Sequence, residues 1–187
     1  MVSASTTGVN MYGAPVDLSF KNISSLADAW TEEPNSGLRP LKRNSEMKYP
    51  SCSLRLNNNS ITDLHDLQQT VSHFLAEPSQ LSWLDLSFNN ILHIDKILCE
   101  LRELRVLYLH GNSIFILSEV DRLGVLPHLH TITLHGNVIE TNKAYRCRLS
   151  FKLNPNTITH TSLLSCKRFG CEILLLLSHC CVILYKN

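Results

Sequence analysis

The sequence predicts an α/β solenoid, with a short parallel sheet on its concave face and helical or 3₁₀ segments on its convex side. Two observations carry this reading. Four segments, Ser51–Ile61, Leu81–Ile91, Leu104–Ile114 and Leu129–Ile139, align without gaps on the pattern Lxx(L/I)xLxxNx(I), with Ser51 replacing the first Leu. After each pattern the apolar spacing changes from two to about three. A period of two belongs to a strand and a period near three to a helical turn. The pattern asparagines Asn59, Asn89, Asn112 and Asn137 recur at intervals of 30, 23 and 25 residues. Recurrence on that scale marks a repeat architecture.

Each element can be justified in chain order. Asp17–Ile23 matches Asp85–Ile91 at six of seven positions, with Lys21 where the Asn belongs. Residues 1–30 are therefore expected to hold a degenerate opening repeat or cap. Residues 31–50 contain Pro34, Gly37, Pro40 and Pro50 and several charges, and read as a loop or linker. Residues 51–146 hold the four clear repeats and the start of a terminal cap. Within a repeat, Leu84 and Leu86, or Leu107 and Leu109, alternate on a strand and point inward. The Asn that follows carries donor and acceptor atoms, so it can satisfy backbone groups left unpaired in the turn. Ile91, Ile94, Ile97 and Leu101 then continue the second repeat, and Ile114, Leu117, Val120 and Leu123 the third. Ile61, Leu64, Leu67 and Val71 continue the first, which has room for a helix from Asp63 to Ala76, broken by Pro78. Residues 147–187 form a divergent, apolar, cysteine-containing tail.

Composition narrows the function. The chain has 187 residues, 17 basic and 16 acidic, a formal charge of +1. No broad basic field exists for nucleic acid. The 44% of hydrophobic residues, with leucine the prominent type, suffices for a core. Met1–Pro15 lacks a basic start followed by an apolar run, and the seven cysteines form no regular framework. A reduced, cytoplasmic protein is expected.

The repeats resemble the short intracellular leucine-rich-repeat class with 22-residue-type units, typified by the protein phosphatase-1 regulators and axonemal dynein light chains. The residues that carry the resemblance are the Ile-x-x-Ile/Leu-x-x-Ile/Val continuations after each Asn. Resemblance reaches from Gly13 to about Cys147. It implies a leucine-rich-repeat solenoid and a non-enzymatic adaptor that grips another protein on its concave face, with a ciliary or microtubule-linked partner as an expectation. Gly136–Arg146 resembles the start of the cap of this class, Gly-Asn-x-hydrophobic-Glu followed by Tyr-Arg. The chain then departs from the family cap at Cys147, as an alternatively spliced C-terminus would.

Positions beside the inward leucines form columns. Ser53, Trp83, Val106 and Thr131 make one, Arg55, Asp85, Tyr108 and Thr133 the next, and Asn57, Ser87, His110 and His135 a third. Arg55, Trp83, Asp85, Val106, Tyr108, His110, Thr133 and His135 are the candidate protein-binding residues. Trp83 and Tyr108 are the hot-spot candidates among them. His110 and His135 alone are too few for a metal site. No phosphate-cradling loop, nucleophile elbow or His-Glu-x-x-His motif occurs, and Cys99 reads as a buried structural thiol. No catalytic residue, cofactor or metal is expected; the partner is another protein, and the chain a monomer. The uncharged run Ile173–Tyr185 is 13 residues long, short of the roughly 20 that a span needs. A membrane-attached form through that run is the alternative, as is a form destabilised by its incomplete cap. Cys166, Cys171, Cys180 and Cys181 lack the paired spacing of zinc ribbons.

Overall fold

Six strands pair in parallel in chain order: β1 (Val16–Asp17), β2 (Ser53–Arg55), β3 (Trp83–Asp85), β4 (Val106–Tyr108), β5 (Thr131–Thr133) and β6 (Ile158–His160). The computed structural model describes residues 13–37, 41–152 and 158–160. Register is unbroken. Val16, Leu54, Leu84, Leu107 and Ile132 stand side by side, all buried. Two residues on, Leu18, Leu56, Leu86, Leu109 and Leu134 form a second buried column. Each such leucine contributes about 1.5–3 kcal/mol by leaving water. The chain is a leucine-rich-repeat solenoid, with this apolar stack as its core.

The turn after each strand has one geometry. Phe20, Asn58, Phe88, Gly111 and Gly136 occupy the position before the ladder residue, and all have left-handed backbones, with φ between 52° and 69°. The ladder asparagines reach further than their own turns. Asn89 Nδ2 donates to Leu86 O in its own repeat and to Leu56 O in the preceding one, and its Oδ1 accepts from Ile61 N. Asn112 and Asn137 repeat this pattern one and two turns later. Asn59 binds back to Leu18 O, Lys21 N and Ile23 N. Lys21 stands at the ladder position of the first turn, and its own amide is held by Asn59 Oδ1.

The convex side departs from expectation in two places. Helix α1 spans Leu67–Phe74, shorter than the predicted 63–76. Asp63 Oδ1 holds the His65 amide in a turn before it. At its far end Leu75 leaves the helix to bridge Tyr49, which donates to Phe74 O and accepts from Ala76 N. In the second repeat a 3₁₀ turn over Lys96–Glu100 buries Leu98, and leaves the predicted core residues Ile97 and Leu101 partly covered. The third repeat buries Ile114, Leu117, Val120 and Leu123 as the spacing predicts.

Both ends of the sheet carry packed neighbours. Asn35 lies along β1, its amide on Asp17 O and its Nδ2 on Ser19 O. Trp30 Nε1 donates to Thr70 Oγ1 and so ties the opening segment to α1. At the other end α2 (Tyr145–Lys152) buries Tyr145 and Leu149. Arg148 grips Asp121 through two bonds of 2.9 and 2.6 Å. The segment expected to diverge from Cys147 onward thus supplies the rest of α2 and the strand β6. Ile158 and Thr159 are β-branched, which suits that strand. The run Ile173–Tyr185 and the cysteines at 166, 171, 180 and 181 lie outside the described residues. Among the described residues, no helix is long and apolar enough to cross a membrane.

Candidate functional site: the concave face

The register places the candidate residues in two straight columns. Ser53, Trp83, Val106 and Thr131 pair in sequence, and so do Arg55, Asp85, Tyr108 and Thr133. Trp83 and Tyr108 are therefore diagonal neighbours, and their rings meet edge to face at 5.7 Å and 84°. Such pairs contribute about 0.5–1.5 kcal/mol beyond the area they bury. The Arg55 guanidinium lies 5.4 Å from the centre of the Trp83 ring. Tyr108 meets His110 at 6.0 Å, and His110 stacks on His135 at 4.7 Å and 15°. An unbroken row of cation, indole, phenol and imidazoles thus crosses four strands. Its members are half-buried: packed at their edges and open to solvent on one side.

Two candidates do not face solvent. Asp85 is only 8% exposed, because its Oδ1 accepts from both the amide and the hydroxyl of Ser87. Thr133 is 6% exposed, and its Oγ1 lies 2.8 Å from His110 Nδ1. Both side chains are engaged by neighbours on the same face of the sheet, Asp85 by Ser87 and Thr133 by His110. Val106 is half-buried in the Trp83 column.

Two residues join the row that the sequence reading omitted. Phe88, about half exposed, meets His110 edge on at 5.0 Å. Its signal was available in the shared Leu-Ser-Phe of residues 18–20 and 86–88. Asp17 is paired to Arg55 at 3.2 Å. Burial pushes its carboxyl up, but the Ser19 hydroxyl and amide and the Arg55 charge outweigh this and hold it below the ordinary range. Arg55 is thereby pinned over Trp83 from the neighbouring strand.

His110 is also shifted downward. Burial first, then the neighbouring His135, pulls it below 6.5, with Asp85 opposing. The downward shift favours the neutral imidazole. Cys99, expected as a buried thiol, is half-buried on the convex side, 3.3 Å from Arg122 O, and burial pushes its thiol up. That shift makes it a poor nucleophile. Among the described residues, no group of three or more His, Cys, Asp and Glu side chains is placed to hold a metal.

No family model matches the chain. It is similar to leucine-rich repeat-containing protein 51 of Rattus norvegicus, at 51% identity over 132 residues, which cover 71% of this chain and 69% of that one. The Homo sapiens protein of that name is 50% identical over 140 residues, 73% of each chain. Human leucine-rich repeat-containing protein 56 is 33% identical over 101 residues, 46% of this chain and 18% of that one. Among solved structures, a Drosophila melanogaster SNF/U2A′ complex chain aligns with a TM-score of 0.48 at 26% identity, covering 64% of each chain. At that level of identity over that share of both sequences, the chain belongs to the leucine-rich repeat-containing protein 51 family.

Proposed function

We propose that the protein is a non-enzymatic, cytoplasmic adaptor that grips a protein partner along the row Arg55–Trp83–Tyr108–His110. Family membership supports a protein-interaction role. The observation that carries the finer reading is the edge-to-face pair of Trp83 and Tyr108, open on the concave face beside a pinned guanidinium. Large aromatics with a fixed neighbour lose little side-chain freedom on binding, which is why such residues dominate interfaces. The axonemal resemblance directs the search for the partner to cilia and microtubules. Partners cross-linked to the wild type and identified by mass spectrometry can be retested against W83A/Y108A. A loss of about 2 kcal/mol per anchor weakens binding roughly thirtyfold for each. Equal capture by the folded double variant rejects this face.

A second reading, a form weakened by an incomplete cap, is favoured by one observation. The Tyr145 hydroxyl is buried, with no hydrogen-bond partner among the described residues. A membrane-attached form rests on Ile173–Tyr185 alone, and fractionation with and without residues 166–187 tests it.

A further inference from the structure

A cavity lies between the opening segment, the turn at residues 44–48 and the end of α1. It holds about 430 Å³, within the range of about 300–1,000 Å³ usual for ligand sites. None of its lining residues belongs to the aromatic row on the strands. Trp30 and His73, which line it, stack at 6.2 Å and 14°. Two of the exposed large apolar side chains, Trp30 at 40% and Met47 at 63%, stand together on its wall. We propose that this cavity binds a lysine side chain of a partner protein, with the ammonium held by carboxylates and ring faces and the alkyl stem against Trp30 and Met47.

The charge of the lining selects a cation. Three carboxylates, those of Glu32, Glu33 and Glu46, face two cations, Arg43 and Lys48. Arg43 shows what this wall accepts. Its guanidinium lies 5.2 Å from the centre of the Tyr49 ring, and its Nε donates to the Tyr49 hydroxyl at 2.8 Å. Its Nη2 reaches both oxygens of Glu33, at 2.8 and 2.6 Å. Arg43 and Glu33 thereby answer each other, and Glu32 meets Lys21 at 3.7 Å. The Glu46 carboxylate is exposed and has no partner among the described residues. Trp is the ring that attracts a cation most strongly, and the bond from Trp30 Nε1 to Thr70 Oγ1, 3.0 Å long, fixes this one. Helix α1 ends at Phe74 in the cavity wall, and the C-terminal end of a helix carries partial negative charge. A lysine matches both parts of the site, since its ammonium is a compact point charge on a flexible apolar stem. An anion would meet the carboxylate excess instead.

The test titrates the full chain with acetyl-Gly-Lys-Gly-amide, and with the same peptide carrying norleucine or glutamate in place of lysine. The indole N–H resonances of the two tryptophans are followed by NMR, and W83F assigns them. The expected result is a saturable shift of the Trp30 resonance by the lysine peptide, with Trp83 unmoved. The norleucine peptide should bind about two- to fivefold more weakly, the factor an exposed cation–π contact is worth. Glu46→Gln should weaken the lysine peptide by up to about fivefold, and Glu46→Lys should abolish its binding, both with circular dichroism unchanged. Equal affinity for the norleucine peptide reduces the site to an apolar pocket and overturns the proposal. So does tighter binding of the glutamate peptide, which would assign the cavity to Arg43 and Lys48. A Trp30 resonance that no peptide moves overturns it as well, as does a shift confined to Trp83, which would move the lysine to the concave face.

Discussion

At the scale of single residues, the turn before each ladder position is where chemistry and geometry are most at odds. A left-handed backbone is free for Gly and costs about 1–2 kcal/mol for other residues. Gly111 uses that freedom, and a Cβ there would also lie 2.6 Å from the Phe88 ring. Gly111→Ala should therefore destabilise by more than the backbone strain alone, as read from urea unfolding. Phe88→Ala in the same chain should recover the excess, a coupling that a double-mutant cycle measures. Asn89→Ala should lower stability by about 1–3 kcal/mol or more, because it strands backbone groups in two repeats at once. His110 gives a pH signature. Its folded value lies below 6.5, so below that pH the unfolded chain takes up the proton first. Its contribution is complete above 6.5 and is lost as the pH falls through the depressed folded value. Thermal melts of H110Q should show a flatter acid limb over that range. The ladder asparagines were legible in the sequence because their spacing is regular. Their bonds to the preceding turn were not, since those depend on how one turn stacks on the next. The burial of Asp85 and Thr133 was hidden for a similar reason: it is set by Ser87 and His110, which a column of alternating residues does not reveal.

Elements follow the same division. Strand positions and register could be read directly, because a period of two admits one pairing that keeps every leucine inside. The limits of α1 could not be read, because Tyr49, far upstream in the chain, pulls Leu75 out of the helix. Helix α2 is the element whose test is sharpest. Tyr145 is buried, and its hydroxyl has no partner among the described residues, while burial and then Glu140 push its proton affinity up. Tyr145→Phe should leave stability unchanged or raise it, since no hydrogen bond is lost. Tyr145→Ala should cost about 3–5 kcal/mol through the cavity it opens. Both are measured by denaturant unfolding. An equal loss in the two variants would show that the hydroxyl, rather than the ring, holds α2.

For the whole molecule, stability passes from repeat to neighbour, as in any solenoid. The end of the sheet therefore matters beyond its own few bonds. A chain ending at Arg148 loses β6 and exposes the β5 edge. It should melt below the full chain, by about 2–4 °C for each kcal/mol lost in a domain of this size. Calorimetry of the two chains settles whether residues after Arg148 act as a cap. The strand β6 was not legible because its three residues carry none of the repeat pattern; only pairing with β5 identifies it.

The unequal repeat lengths have a practical consequence. The 30-residue first unit places its additional chain in α1 and the exposed turn at Ser79 and Gln80, while β2 and β3 stay in register. Length is absorbed on the outside of the arc and never transmitted to the inner face. A fluorophore or affinity tag grafted at the exposed Ser79 would thus add its bulk outside the strands that carry the aromatic row. It would report on a bound partner without standing in its way.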